Sequence, residues 1–330
     1  MVNLDVVYGY QLSYFTRKLE AALMLKGIDY RFSPKTMFNL RRIEKRAQTQ
    51  QVPVLRTSDG AYLKDSTVIM EYLDRRAPAR PLYPIGQAGM IVRLVEEWFD
   101  EWFPRVVLHY RWNYEACARS AAPRLARAYA PYTPPFIRRM AGRKIADWGR
   151  RAVRANGLDL PEVQAYAEAL VERVCTRLNA QLLDTPFALG STPTAVDAVL
   201  LGGLRAHLMT DSVPASRLAH LNALVQWTNQ VAETTNDEGP ASVLSTPFAQ
   251  CVLEEMSGAY AQYIRANRVA VTQGIQVITL TMDGFEYTVL ARPDSEASRA
   301  RTSQAIRRLA IDDDIDADAL LDQYGLSDIF

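Results

Sequence analysis

Cysteine is scarce and poorly placed for chemistry. The 330-residue chain holds three, Cys117, Cys175 and Cys251, odd in number, far apart and without metal-ligand spacing. That excludes a disulfide framework and points to a reduced compartment; each reads as a small buried hydrophobe and no metal site is expected. Long apolar runs are missing too. None approaches the ~20 residues that span a bilayer, and Met1 leads into Val-Asn-Leu-Asp and a β-type run rather than a basic segment and a long apolar one. Neither a spanning helix nor a signal peptide is expected, and the location read from this is cytoplasmic. Excess charge of one sign is absent: 38 Lys plus Arg face 37 Asp plus Glu, a net of +1. Composition therefore supplies no general argument for nucleic acid or an acidic partner, and no membrane partner is expected. Repeats and low-complexity tracts are lacking. What remains is 48% hydrophobic and 23% charged, an ordinary globular composition long enough for two domains with cores.

The most informative stretch is residues 51–73, QVPVLRTSDGAYLKDSTVIMEYL. A β-type run, Val52-Pro53-Val54-Leu55, reverses at Ser58-Asp59-Gly60 and returns through Ala61-Tyr62-Leu63. Proline cannot donate to a β-ladder, so Pro53 is expected at an edge or a bulge, with a bond that tolerates cis. The backbone of Val52 is then free to pair with an extended, peptide-like ligand. Ser66 stands where a helix N-cap belongs, because Val68, Ile69, Tyr72 and Leu73 follow at helical spacing. A helix N-terminus attracts carboxylates.

Upstream, residues 4–8 form a β-rich run, and Gly9 to Tyr14 a loop into a helix whose Phe15, Leu19, Ala22 and Leu23 share a face. Gly27 stops it and residues 28–32 resume as a strand, a β-α-β unit with parallel strands. Residues 36–50 are basic and helical with irregular ends. The first ~80 residues thus read as a small α/β domain.

Pro78, Pro81 and Pro84 mark a linker. Residues 90–117 continue as an aromatic-rich helix that Pro104 should kink or interrupt. Residues 130–135 carry three prolines and form a loop, residues 138–154 a basic helix, and residues 160–183 an amphipathic helix begun by Pro161. At Thr194, Asp197 three residues on reaches back in a short-armed capping box. Gly202-Gly203 inside that helix costs up to ~1 kcal/mol each relative to alanine, which a close helix approach would explain. In the tail, an Asp283-Gly284 turn pairs Met282 with Phe285, Leu280 with Tyr287 and Ile278 with Val289 on one face of a hairpin. A helix near residues 299–310, an acidic turn at residues 312–314 and a short apolar ending follow.

Three of these segments carry a resemblance. VYGYQLSYFTRKLEAALMLKGIDYRF, then QVPVLRTSDGAYLKDSTVIMEYLDRRAPARPLYP, then FALGSTPTAVDAVLLGGL resemble a glutathione S-transferase in the right order, over residues 4–265. The resemblance implies a thioredoxin-like α/β glutathione-binding domain at residues 1–80 and an all-α second-substrate domain at residues 90–268. Residues 269–330, with the β-hairpin and a helix, form a C-terminal extension like that of some bacterial members.

Carried over residue by residue, the resemblance places the sulfur-activating group at Ser13, where Ser13-Tyr14-Phe15 stands in place of the family's frequent Ser-Pro-Phe. A thiol with a pKa near ~8.5 is mostly protonated at neutral pH, and a hydroxyl at a helix N-terminus can donate to the thiolate. A plain helix cap is the competing reading of Ser13, and Tyr10 and Tyr14 are rival donors. Val52 would pair with the cysteinyl part of glutathione beside a cis Pro53, Asp65 would take the γ-glutamyl ammonium, and Ser66 the carboxylate. Gln51 matches a polar glutathione contact. The family's Asn-Pro is replaced by Gln48-Thr49-Gln50, leaving Lys35, Arg41, Arg42 and Lys45 as candidates for the glycyl carboxylate. Tyr10, His109, Tyr110 and Trp112 are candidates for the second-substrate pocket, with core packing the simpler reading of the last three. No cysteine precedes Cys117, which disfavours a thiol-disulfide relay. The basic run from Arg138 to Arg154 reads as a solvated face. The function implied is a homodimeric glutathione transferase acting on a small hydrophobic electrophile. Glutathione-dependent ether cleavage or dehalogenation, a ligand carrier and a non-binding interaction module are the alternatives.

Overall fold

The computed structural model describes residues 4–230, 246–282 and 284–330. It begins with β1 (Asp5–Gly9), α1 (Tyr14–Leu25), β2 (Tyr30–Pro34), α2 (Leu40–Ala47), β3 (Val54–Arg56), β4 (Tyr62–Lys64) and α3 (Ser66–Arg76). The strands form one sheet in the order β2-β1-β3-β4, with β1 and β2 parallel and the other pairs antiparallel. Alternation along the strands serves two faces. Val7 and Leu55 join Leu19, Leu23, Ile69 and Leu73 on one side; Val6, Tyr8 and Val54 join Ile43 and Ala47 of α2 on the other. Gly27 ends α1 in a left-handed conformation, φ 67°, the backbone state that glycine adopts at no steric cost.

Three local expectations change. Strand β3 is interior, and Pro53 sits just before its first paired residue rather than at an edge or bulge; outside the ladder, its missing N–H is harmless. The N-cap of α3 is Asp65, not Ser66: Asp65 Oδ1 accepts from Thr67 N at 3.1 Å, and Ser66 is the first helical residue. The second strand begins at Tyr30 rather than Ile28.

The remainder is mostly helical: α4 (Gly86–Glu101), α5 (Phe103–Trp112), α6 (Glu115–Tyr129), α7 (Pro135–Arg154), α8 (Pro161–Asp184), α9 (Ala195–Gly203), α10 (Ser212–Arg217), α11 (Asn222–Gln230), α12 (Pro247–Glu255) and α13 (Ala261–Gln273). Pro104 breaks the long aromatic pattern into α4 and α5, falling in the first turn of α5 where its missing N–H is tolerated. The capping box at α9 is complete: Thr194 Oγ1 accepts from Val196 N at 3.3 Å and Asp197 Oδ2 accepts from Thr194 N at 2.8 Å. Gly202 explains itself against α1, since a Cβ there would lie 2.8 Å from Lys18 N and 2.9 Å from Tyr14 O.

The hairpin of β5 (Val277–Met282) and β6 (Phe285–Leu290) pairs Met282 with Phe285, Leu280 with Tyr287 and Ile278 with Val289. Asp283 of its turn lies outside the described residues. The inward side chains enter the same apolar core as α4, α5 and α8. The following helix, α14 (Pro293–Asp312), starts six residues before the expected position, and the apolar ending contains a short α15 (Ala317–Gln323). Helix α14 lies along α4 and docks hydroxyls onto the buried Glu97 and the half-buried Glu101. Ser295 Oγ donates to Glu101 at 2.6 Å, Ser298 Oγ to Glu97 at 2.8 Å and Thr302 Oγ1 to Glu97 at 3.0 Å.

Candidate functional site

Register gathers the site. Tyr8 pairs with Val54, and Val54 with Lys64. The loop after β1, the Val52-Pro53 pair before β3 and the Asp65-Ser66 corner after β4 therefore meet at one end of the sheet. Two helix N-termini, of α1 and α3, open at that end, and both concentrate free N–H groups and positive dipole.

Ser13 caps α1, its Oγ accepting from Thr16 N at 3.3 Å. Capping uses a lone pair, so the hydroxyl proton stays available, and among the described residues it has no acceptor. Tyr14 points elsewhere. It is buried, its hydroxyl donates to Phe99 O of α4 at 3.0 Å, and burial holds its pKa well above the usual phenol value. That phenol ties α1 to α4 and does not reach the cleft. Tyr10 is half-buried at the loop, and burial, with help from Tyr129 and Glu44, pushes its pKa up to about 12, so it keeps its proton.

The Val52-Pro53 bond is cis. Val52 lies outside the ladder, and neither its N–H nor its C=O pairs with any described group. The Ser66 hydroxyl, buried at the first turn of α3, likewise has no partner among the described residues. Asp65 adopts a left-handed φ of 69°, which turns the chain sharply into α3. Behind this corner, Lys18 is fully buried and places its Nζ 2.5 Å from Asp100, 2.7 Å from Glu96 and 3.1 Å from Thr67 Oγ1. Those contacts lock α1, α3 and α4 together.

Two contacts were not legible in the sequence. Arg301 of α14 reaches Asp65 Oδ2 at 2.6 Å, and Gln51 Nε2 donates to Asp294 Oδ2 at 3.2 Å. The C-terminal extension thus touches both Gln51 and Asp65. Lys35 is committed within its own unit, to Glu44 at 2.8 Å and Gln50 O at 2.5 Å, while Arg41, Arg42 and Lys45 are exposed on α2.

The aromatic candidates of α5 do not line a cleft. His109, Tyr110 and Trp112 are buried in the helical core. His109 Nε2 lies 2.9 Å from Glu168 and its Nδ1 2.7 Å from Asn113 Nδ2; burial lowers its pKa. The α5 residue that reaches the site is Arg111, passed over in the sequence. Its Nη1 donates to Leu12 O at 2.6 Å and its Nε to Asp211 Oδ2 at 3.0 Å, which fixes the loop ahead of Ser13. An arginine between Tyr110 and Trp112 was the available signal. Among the described residues no group of His, Cys, Asp and Glu could hold a metal, and no helix is long and apolar enough to cross a membrane.

Residues 7–81 match the family described as the glutathione S-transferase N-terminal domain. No curated protein matches. Similar solved structures include a glutathione S-transferase from Rhodospirillum rubrum F11, 19% identical, covering 76% of this chain and 99% of that one with a TM-score of 0.46. The beta-etherase LigF from Sphingobium sp. strain SYK-6 is 19% identical over 77% of this chain and 100% of that one, TM-score 0.47. A glutathione S-transferase from Methylobacillus flagellatus with glutathione bound is 19% identical over 70% and 98%, TM-score 0.44. The match covers the thioredoxin-like unit, residues 7–81, which is thus similar to a glutathione S-transferase N-terminal domain and is continued by a helical region seated on α1 through Gly202.

Proposed function

We propose that the protein is a glutathione transferase. The observation that carries this reading is the convergence, at one end of the sheet, of the unpaired Val52 backbone and the free Ser13 and Ser66 hydroxyls. An extended tripeptide would pair its cysteinyl backbone with Val52 beside Pro53. Its γ-glutamyl carboxylate would take the Ser66 hydroxyl and the N–H groups at the α3 terminus, and its ammonium Asp65. The thiol then lies toward the N-terminus of α1, where the Ser13 hydroxyl donates to sulfur and the helix dipole favours the anion. Ser13 acts as donor, not base; the thiol proton leaves to solvent. The thiolate forms a carbon–sulfur bond with a small apolar electrophile, and the leaving group departs with the bonding pair.

A second reading has its own support. Arg301 and Asp294 already hold Asp65 and Gln51, as in a fold that no longer binds glutathione. Asp65 and Arg301 side chains are each 37% exposed, and exposed pairs of that kind contribute only about 0–1 kcal/mol. A ligand ammonium can displace such a guanidinium, so the transferase reading stands first. Calorimetric titration with glutathione decides: saturable heat at sub-millimolar to millimolar ligand supports binding, and a flat titration removes both the transferase and the ether-cleaving or dehalogenating variants.

A further inference from the structure

Residues 115–154 contain ten Lys or Arg and two acidic residues, a net of +8 in a chain whose total is +1, so all other residues together sum to −7. They form α6, α7 and the loop between, the two helices packed on each other. The inner side of α7 is built for close approach. Gly149 faces the Trp112 ring, where a Cβ would lie 2.3 Å from a ring carbon, and Gly142 and Val153 are buried. Its outer side is different in kind. Phe136, Met140 and Lys144 follow at i, i+4 and i+8, with Arg143, Arg151 and Arg154 alongside, all exposed. Phe136 is 62% exposed, Met140 57%, Trp148 57%, and Tyr132 in the preceding loop 97%. Among the described residues the ion pair on α7 is Arg150 with Asp147, so the bases beside Phe136 and Met140 carry uncompensated charge.

We propose that the outer face of α7 is a peripheral docking surface for a bilayer containing anionic phospholipid. An interfacial helix binds through exposed apolar tips and flanking bases acting together. Arginine and lysine stems can lie along the lipid while their charges stay at the headgroups. The chemistry of the face selects this partner over the others. A second copy would bring one +8 surface against another. A nucleic acid would use the bases, but a convex helix gives Phe136 and Met140 no groove to fill. The acidic remainder of the molecule is repelled by the same lipid surface, which orients the approach. Tyr129, at the end of α6, accepts a hydrogen bond from Met37 N at 2.8 Å, so the tip of this basic pair rests on the unit that holds the candidate site. On the transferase reading, an apolar electrophile dissolved in lipid then has a short path to that site.

The test is flotation of the full chain with vesicles of phosphatidylcholine alone and of phosphatidylcholine with phosphatidylserine. The expected result is partitioning onto the anionic vesicles only, weakening as salt rises, with a blue shift of Trp148 emission; the other four tryptophans are buried. Combining Arg139→Gln, Arg143→Gln and Lys144→Gln lowers the partition coefficient roughly a hundredfold, about fivefold for each base. Phe136→Ser with Met140→Ser lowers it at least about tenfold. All five side chains are exposed, and circular dichroism checks that the variants fold. No partition onto anionic vesicles, equal partition onto neutral ones, or wild-type partition by both variants overturns the proposal. So does displacement from vesicles by a DNA oligonucleotide, or a salt-sensitive dimer formed through this face. Vesicle binding needs no glutathione, so its failure and the failure of the transferase reading are read separately.

Discussion

Ser13 caps α1 through its oxygen, and on the transferase reading the same hydroxyl donates a hydrogen bond to the thiolate. Two substitutions separate these roles. Ser13→Asp keeps a capping acceptor but brings no proton, whereas Ser13→Ala loses both, at a stability cost of about 1 kcal/mol from the cap. A hydrogen bond to a charged sulfur is worth about 1.5–3 kcal/mol, so both variants raise the pKa of bound glutathione by about one to two units. Ultraviolet thiolate absorbance measures it, and an unmoved pKa in both would transfer the role to Tyr10. Arg111 is the other decisive side chain. It shares a buried pair with Asp211, and removing one partner of such a pair costs about 3–5 kcal/mol. Arg111→Met therefore lowers the denaturation midpoint sharply, and adding Asp211→Leu restores much of the loss; a double variant no more stable than the single one would contradict this. The sequence named His109, Tyr110 and Trp112 and passed over Arg111 because a rich aromatic pattern marks a helix without saying which side meets a neighbour.

Helix α14 shows how an element can depend on protons. Its serines and threonine cover Glu97 and Glu101. Burial, then the nearby Glu101, pushes the Glu97 pKa from 4.5 to about 8. Burial also lifts Asp100 from 3.8 to about 7, against the pull of Lys18. For both, the folded state binds the extra proton. Their stabilisation is complete below the unfolded values and is lost as pH rises through about 7 to 8. The thermal midpoint of the full chain should fall between about pH 5 and about pH 9, with proteolysis in α14 appearing first. Glu97→Gln should flatten that profile; an equally steep one in the variant would assign the slope to other groups. The elements themselves divide by legibility. The α9 box and the hairpin register were readable because each is set within a few residues, by a cap or by strand alternation. The seating of α14 on α4 was not, since it joins positions about two hundred apart whose polar pairings leave no periodic trace.

At the scale of the whole molecule, α1 belongs to two cores. Leu19 and Leu23 face the sheet, while Tyr14, Ala21, Ala22 and Leu25 face the helical core that also receives the hairpin. The sheet unit has only two small clusters of its own, so neither part is expected to melt alone. Hydrogen exchange at β1 amides and tryptophan fluorescence, which reports the helical region, should give one common midpoint in denaturant; two separated midpoints would show the units to be independent. By itself the sequence determined what local rules govern: the β-α-β start, the break at Pro104, the α9 cap and the paired strands of the hairpin. Only the tertiary structure decided that Tyr14 faces α4, that Asp65 rather than Ser66 caps α3, that Arg111 steadies the Ser13 loop, and that the extension reaches Gln51 and Asp65. Caps and alternation act over neighbouring residues, whereas the facing of a helix and the partner of a buried charge depend on which distant segment fills the space beside them.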